Sequence, residues 1–226
     1  MFKLERYKLA SLLLMFFAMT VLCTSLFLMI GVEVSFWNLV LALLVSGLLF
    51  FRMYGDSKAT LIYTSTVIVV IGLLIMYSNV TFDNTWDGSA YHKQAIGFLK
   101  HGWNPIYQDN ITFNELSNNI KYPRENPMVW AEAYPKAIWY FSASVYDLTG
   151  NIESGKLYHL LFAIITYLFF SEYLMSHKFK KYQYILISFV IACNPILMAQ
   201  FNSYYLDSVV GCVLMLILLF FVQTFE

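Results

Sequence analysis

Six apolar runs divide this chain, at residues 9–31, 34–51, 60–77, 157–175, 184–200 and 208–222. Each approaches the roughly 20 residues that an α-helix needs to cross the hydrocarbon layer of a bilayer. A chain in lipid must satisfy its own backbone N–H and C=O groups, which leaves only helices and closed barrels. Continuous runs of this length specify helices. With 59% of its residues hydrophobic and 12% charged, the chain also lacks the charged surface of a water-soluble domain. The expected fold is therefore an all-α polytopic membrane protein with about six transmembrane helices. Glu33 leads from the first run straight into the second, so the first run reads as a retained span and not as a cleaved signal peptide.

Positive charge sets the expected orientation. Lys3, Arg6 and Lys8 precede the first run, Arg52 and Lys58 separate the second from the third, and Lys178, Lys180 and Lys181 follow the fourth. With six spans all three clusters fall on one side, which the side bias of Lys and Arg makes cytoplasmic, and residues 78–155 lie outside. The localisation expected is the cell membrane, with the N-terminus cytoplasmic. A net charge of zero gives no reason to expect a nucleic-acid partner. Cys23, Cys193 and Cys212 all sit in or beside apolar runs without metal-ligand or redox spacing, and read as small buried hydrophobes.

Three regions follow: residues 1–77 with three spans, 78–155 as a long external loop, and 156–226 with three more spans. The external loop carries Asp83, Asp87, Asp109, Glu115, Glu125, Glu132, Asp147 and Glu153, eight of the fourteen acidic residues. A connector of this length is functional or disordered, and one this rich in Trp, Tyr, Phe and Ile folds. Tyr91, Ala95, Phe98 and Gly102 follow Asp87 at helical spacing, and Gly102 with Asn104-Pro105 stops the run. A second amphipathic helix follows Pro135 and runs to Gly150. Both are too short to span and are expected to lie along the membrane surface. Asn79-Val80-Thr81 and Asn110-Ile111-Thr112 match the N-glycosylation pattern.

Three stretches, taken in order, resemble the GT-C class of integral-membrane glycosyltransferases, which includes the protein O-mannosyltransferases and the aminoarabinose transferases of lipid A. The first is Thr85-Trp86-Asp87-Gly88-Ser89-Ala90-Tyr91-His92, an acidic residue at the head of the first juxtamembrane helix. The second is Glu132-Ala133-Tyr134-Pro135-Lys136, similar to the Glu-Lys-Pro-Pro motif that opens the second, followed by Gly150, Glu153 and Lys156. The third is Asn194-Pro195 followed by Tyr204-Tyr205-Leu206-Asp207. The matches cover about residues 78–210. Ala133 stands where the class has a lysine for the donor phosphate, with Lys136 nearby. Members of the class have about twice this many spans, so the resemblance implies the N-terminal part of a longer enzyme.

The resemblance implies an inverting transfer of sugar from a polyprenyl-phosphate donor, held by its lipid tail in the bilayer, to an acceptor hydroxyl on the external face. Such a transfer needs a base for the hydroxyl proton and a cation for the departing phosphate. It makes Asp87 the catalytic base, and Asp83, Tyr91, His92, Glu132, Lys136 and Asp207 substrate-binding residues. It implies no cofactor, and no His, Asp and Glu set has metal-ligand spacing.

Blander roles stand beside these. Asp87 equally suits the N-cap of its helix. Asp83 suits a loop, His92 a solvated interface, and Asp207 the end of a span. Lys121, Arg124 and Lys136 suit a fringe against lipid head groups. Trp103, Tyr107, Trp130, Trp139 and Tyr140 read as interface anchors or as stacking surfaces for sugar rings. The competing functions are a transporter or flippase half, which predicts an inverted repeat not visible in the sequence, and a non-enzymatic assembly subunit. Convergence of Asp87, Glu132 and Asp207 outside the bilayer would favour the enzyme.

Overall fold

A computed structural model describes residues 5–118 and 128–226. Lys3, Lys121, Arg124, Glu125 and the side chain of Trp130 lie outside the described residues. All regular structure among the described residues is helical. In chain order it comprises α1 (Arg6–Met29), α2 (Trp37–Tyr54), α3 (Ser57–Asn79), a π-helical turn at Gly88–His92 running into α4 (Lys93–Lys100), α5 (Asn110–Asn118), α6 (Met128–Ala133) and α7 (Ala137–Thr149). A 3-10 segment at Ile152–Leu157 then leads into α8 (Tyr158–Ser176), followed by α9 (Lys181–Ala192), α10 (Pro195–Gln200) and α11 (Asp207–Phe225). Five helical stretches are long and apolar enough to cross a membrane, namely α1, α2, α3, the continuous Ile152–Ser176 stretch and α11.

Central to the bundle are α8 and α1, the latter apolar on every side, as expected of a helix surrounded by other helices and lipid. Leu9, Leu12, Leu13, Phe16 and Phe17 are buried against its neighbours. The Phe17 ring packs on Phe141 of α7 at 5.0 Å and edge-on to Phe162 of α8 at 4.9 Å. Polar groups inside the bundle need partners, and the Asn38 amide donates to Thr24 Oγ1 at 2.8 Å. Leu44, Leu48, Ile68 and Val69 point outward and stay exposed, as lipid-facing side chains do. Gly55 adopts the left-handed conformation that ends α2, with φ +68°, and Asp56 then caps α3 by accepting from Ala59 N at 3.0 Å.

The expected fifth span, residues 184–200, is not one helix. Proline lacks an N–H and pushes the residue before it out of the helical region. Asn194 is accordingly extended, with φ −61° and ψ 158°, and its side chain accepts from Leu197 N at 3.0 Å, starting α10 anew. The pair still joins the two ends of the bundle. The Tyr184 hydroxyl of α9 accepts from Arg6 at the start of α1, whereas Ser203, just past α10, bonds His159 at the opposite end of α8.

Between α3 and α8, α7 begins two residues after Pro135 and ends at Gly150, whose φ is +68°. Residues Trp86 to Lys100 form one helical run, closed by Gly102 at φ +97°. Trp103 and Trp139 are fully buried, which corrects their expected roles as interface anchors or sugar-stacking surfaces. Each ring instead fills the space beneath α4 or α7, its indole N–H donating to Gln108 O and to His92 respectively. Asn110 is likewise buried at the start of α5, so its glycosylation sequon is not presented. Cys23 and Cys212 are buried, Cys193 is half-buried, and none forms a disulfide.

Candidate active site

A buried charge network holds the end of the bundle where α3, α4, α7 and α8 meet. Glu153 accepts from Lys156 at 2.5 Å, from Lys93 at 2.6 Å and from the backbone N–H of Asp83 at 3.1 Å. Lys156 also donates to Thr81 O at 2.5 Å, and Lys93 to Asp83 O at 2.7 Å. These bonds tie the loop of residues 81–83 to the foot of α8. Buried charges persist only when paired and hydrogen-bonded, and each of these three is.

Asp83 is fixed within that loop and is 3% exposed. One carboxylate oxygen accepts from Thr85 N at 2.9 Å and Thr85 Oγ1 at 2.6 Å, and the other from Tyr204 N at 3.0 Å. Three donors occupy the carboxylate, so Asp83, a loop residue as one reading of the sequence had it, holds the loop and the Tyr204 segment together. Thr85, not Asp87, caps the helix that follows. Its Oγ1 accepts from Gly88 N at 3.2 Å and its carbonyl from Ser89 N at 3.2 Å. Asp87 is already helical, with φ −62° and ψ −40°, and its side chain makes no cap bond. The capping role for Asp87 is therefore excluded, and its carboxylate meets the Tyr91 hydroxyl instead.

At Gly88, as at Gly155, there is no room for a side chain. A Cβ added to Gly88 would lie 1.8 Å from Asp83 Oδ2, an oxygen already held by Tyr204. Gly88→Ala is expected to destabilise the protein by about 1–3 kcal/mol, the usual cost of overpacking. Thermal unfolding in detergent would measure it, and an unchanged midpoint would contradict the packing described.

Around Asp87 the side chains are aromatic and polar. The Tyr91 hydroxyl lies between the Asp87 carboxylate and the Tyr134 hydroxyl, which is 3.0 Å away. Burial, Tyr134 and the Asp87 charge all push the Tyr91 pKa up, so it stays protonated as a donor. Half-buried Tyr205 lies within the field of Asp83, Asp87 and Asp207, and desolvation with these charges raises its pKa too.

His92 is buried among three aromatic rings, not solvated as a lone interfacial histidine would be. Its Nδ1 accepts from the Trp139 indole N–H at 2.9 Å. Because an indole only donates, this bond assigns the neutral His92 proton to Nε2. Burial lowers its pKa to about 4 against the opposing pull of Asp83 and Asp207. Below pH 6.5 the unfolded imidazole takes up a proton that the folded one refuses until about pH 4. Stability should thus be full above pH 6.5 and fall as pH drops through that window, by about 3 kcal/mol in all. Denaturant unfolding of wild type and His92→Gln between pH 4 and 7 would test this; equal slopes in the two proteins would refute it.

The remaining residues divide. Asp207 is the exposed first residue of α11, accepts from Gln200 Nε2 at 2.9 Å, and shares the electrostatic neighbourhood of His92 and Tyr205. Glu132 turns away, its carboxylate accepting from Asn110 N at 2.6 Å at the start of α5. Lys136 donates to Glu132 O at 2.6 Å, and burial lowers its pKa. The structure thus groups Asp83, Asp87, Tyr91, His92 and Asp207 at one end of the bundle and sets the Glu132 carboxylate apart. Lys93 joins the site from outside the sequence motifs, and Thr85, Gly88 and Tyr205, which lie within them, join it without having been given a role of their own. Among the described residues no three His, Cys, Asp or Glu side chains are grouped as a metal-ligand set. A scan against protein-family models and searches of curated proteins and of solved structures find no match for the chain.

Proposed function

We propose that this protein is a membrane glycosyltransferase of GT-C type that moves a sugar from a polyprenyl-phosphate donor to an acceptor hydroxyl, with Asp87 as general base. The observation that carries this reading is the contrast between two nearby carboxylates. Three donors occupy Asp83, whereas Asp87 has lost its capping role to Thr85, makes no ion pair among the described residues, and stands beside Tyr91 and Tyr205. A base needs such a site: fixed in position, with lone pairs to spare.

In the reaction the acceptor oxygen attacks the anomeric carbon as its proton passes to Asp87. The bond from that carbon to the phosphate oxygen breaks, polyprenyl phosphate leaves with the electron pair, and configuration inverts. Lys136 is the described cation available to the departing phosphate, since its bond to Glu132 O uses one of three donors. The decisive assay is release of radiolabelled sugar from a synthetic polyprenyl-phosphate donor by membranes containing the protein. Transfer no greater than in membranes lacking it would reject the reading.

The site belongs on the external face, with the Lys- and Arg-rich end of the bundle in the cytoplasm. In this arrangement α9 and α10 together make the sixth crossing, roughly 20 residues at 1.5 Å each. Cysteine at exposed His101 should react with an impermeant thiol reagent added outside intact cells, and cysteine at exposed Lys180 should not. The reverse pattern would place the site in the cytoplasm and exclude a donor presented outside.

A further inference from the structure

At the opposite end of the bundle from Asp87, the ends of α1, α2, α8 and α11 line an open cavity of about 490 Å³. Its floor is apolar, formed by Leu14, Met15, Phe169 and Phe220, while Glu172 and Gln223 stand in its wall. Glu172, one turn before the C-terminal end of α8, is the one acidic residue of α1, α2, α3, α8 and α11 apart from Asp207 at the start of α11. Its carboxylate makes no hydrogen bond or ion pair among the described residues. The nearby charges are engaged elsewhere: Lys8 with Glu5 at 3.0 Å, His177 with Glu226 at 3.2 Å, and Arg6 with the Tyr184 hydroxyl at 3.3 Å. An ionisable group within spanning helices is costly unless it faces a polar cavity or a partner, and it marks a functional position by default.

We propose that this cavity binds a phospholipid with a primary-amine head group, its ammonium on Glu172 and an acyl chain along Leu14, Met15, Phe169 and Phe220. Each part of the site selects for that chemistry. The volume lies within the range of small-molecule pockets. The apolar floor, open at the rim of the bundle, suits a molecule already dissolved in the bilayer. A carboxylate without a cation prefers an ammonium that still carries N–H donors, because charge-assisted hydrogen bonds are about twice as strong as neutral ones. Arg52, Lys58, Lys178, Lys180 and Lys181 surround this end, which suits the lipid phosphate beside the ammonium. An anionic lipid without an amine would meet Glu172 with like charge.

Native mass spectrometry of the purified protein tests this directly with dioleoyl phosphatidylethanolamine, its N-methyl and N,N-dimethyl forms, and the phosphatidylcholine. Affinity should fall stepwise as N–H donors are lost, by about tenfold across the series. Glu172→Gln should remove that gradient. A flat series in wild type, a gradient that survives Glu172→Gln, or a dimer that excludes all four lipids would each overturn the proposal. The wild-type series decides the matter alone if Glu172→Gln fails to fold, and none of these outcomes depends on sugar transfer.

Discussion

Asp87→Asn should lower sugar transfer by about a hundredfold to ten-thousandfold, the range over which a lost general base slows a reaction, while insertion and thermal stability stay near wild type. The substitution keeps the shape of the side chain and removes only its basicity. Had Asp87 capped its helix, asparagine would have served nearly as well. Because Thr85 holds the cap and Asp87 makes no cap bond, the contact at stake is the one with the Tyr91 hydroxyl, whose hydrogen bond an asparagine oxygen can still accept, so the two effects separate. Asp83→Asn is the informative contrast. It forfeits charge in a carboxylate that accepts three hydrogen bonds and should reduce stability together with activity. Initial rates at matched expression would decide. An Asp87→Asn protein that retains most of its activity would move the base elsewhere, to Asp207 first.

Glu153→Gln should destabilise the protein by about 3–5 kcal/mol, because removing one member of a buried charge group leaves its partners uncompensated. Glu153 is 4% exposed and Lys156 1% exposed, so water cannot replace the lost charge. Both lysines would lose their carboxylate, and the backbone N–H of Asp83 would lose a charged acceptor. Lys156→Met in the same protein should restore part of the loss by removing one stranded ammonium. Chemical unfolding in micelles gives both numbers. A change below about 1 kcal/mol for the single variant would mean that the network is solvated and not structural.

Much of the fold was legible in the sequence because its signals are local. Pro135 and Gly150 bracket α7 to within two residues: Pro135 stands just before the Lys136 N-cap, one place outside the first turn expected of it, and Gly150 takes the left-handed cap. Asn194-Pro195 was visible too, but run length alone does not register that proline ends one helix before starting another. The site was legible only in part. Asp87 stood out by type and position, yet its availability depends on Thr85 taking the cap and on Tyr204, 121 residues from Asp83, occupying that carboxylate. Such long-range partners leave no periodicity behind. The tryptophans were misjudged for a related reason: residue type suits Trp103 and Trp139 to an interface, and only packing reveals that both are enclosed. Glu153 and Lys156 were noticed as the acidic and basic residues that follow the second motif, without any sign that they pair or that Lys93 completes them.

The π-helical turn at Gly88–His92 has a geometric meaning of its own. An α-helix advances about 100° per residue, so a wider turn holding one extra residue puts everything before it out of phase with everything after it. Downstream, Ala95, Ile96 and Leu99 face the core as an ordinary amphipathic helix requires. Upstream, Asp87 lies four residues before Tyr91 and meets its hydroxyl, the pairing of neighbouring turns on one face. The phase of Asp87 against the buried face of α4 is thus encoded in a residue count, and the loss of a single position from the turn would rotate one relative to the other by about 100°.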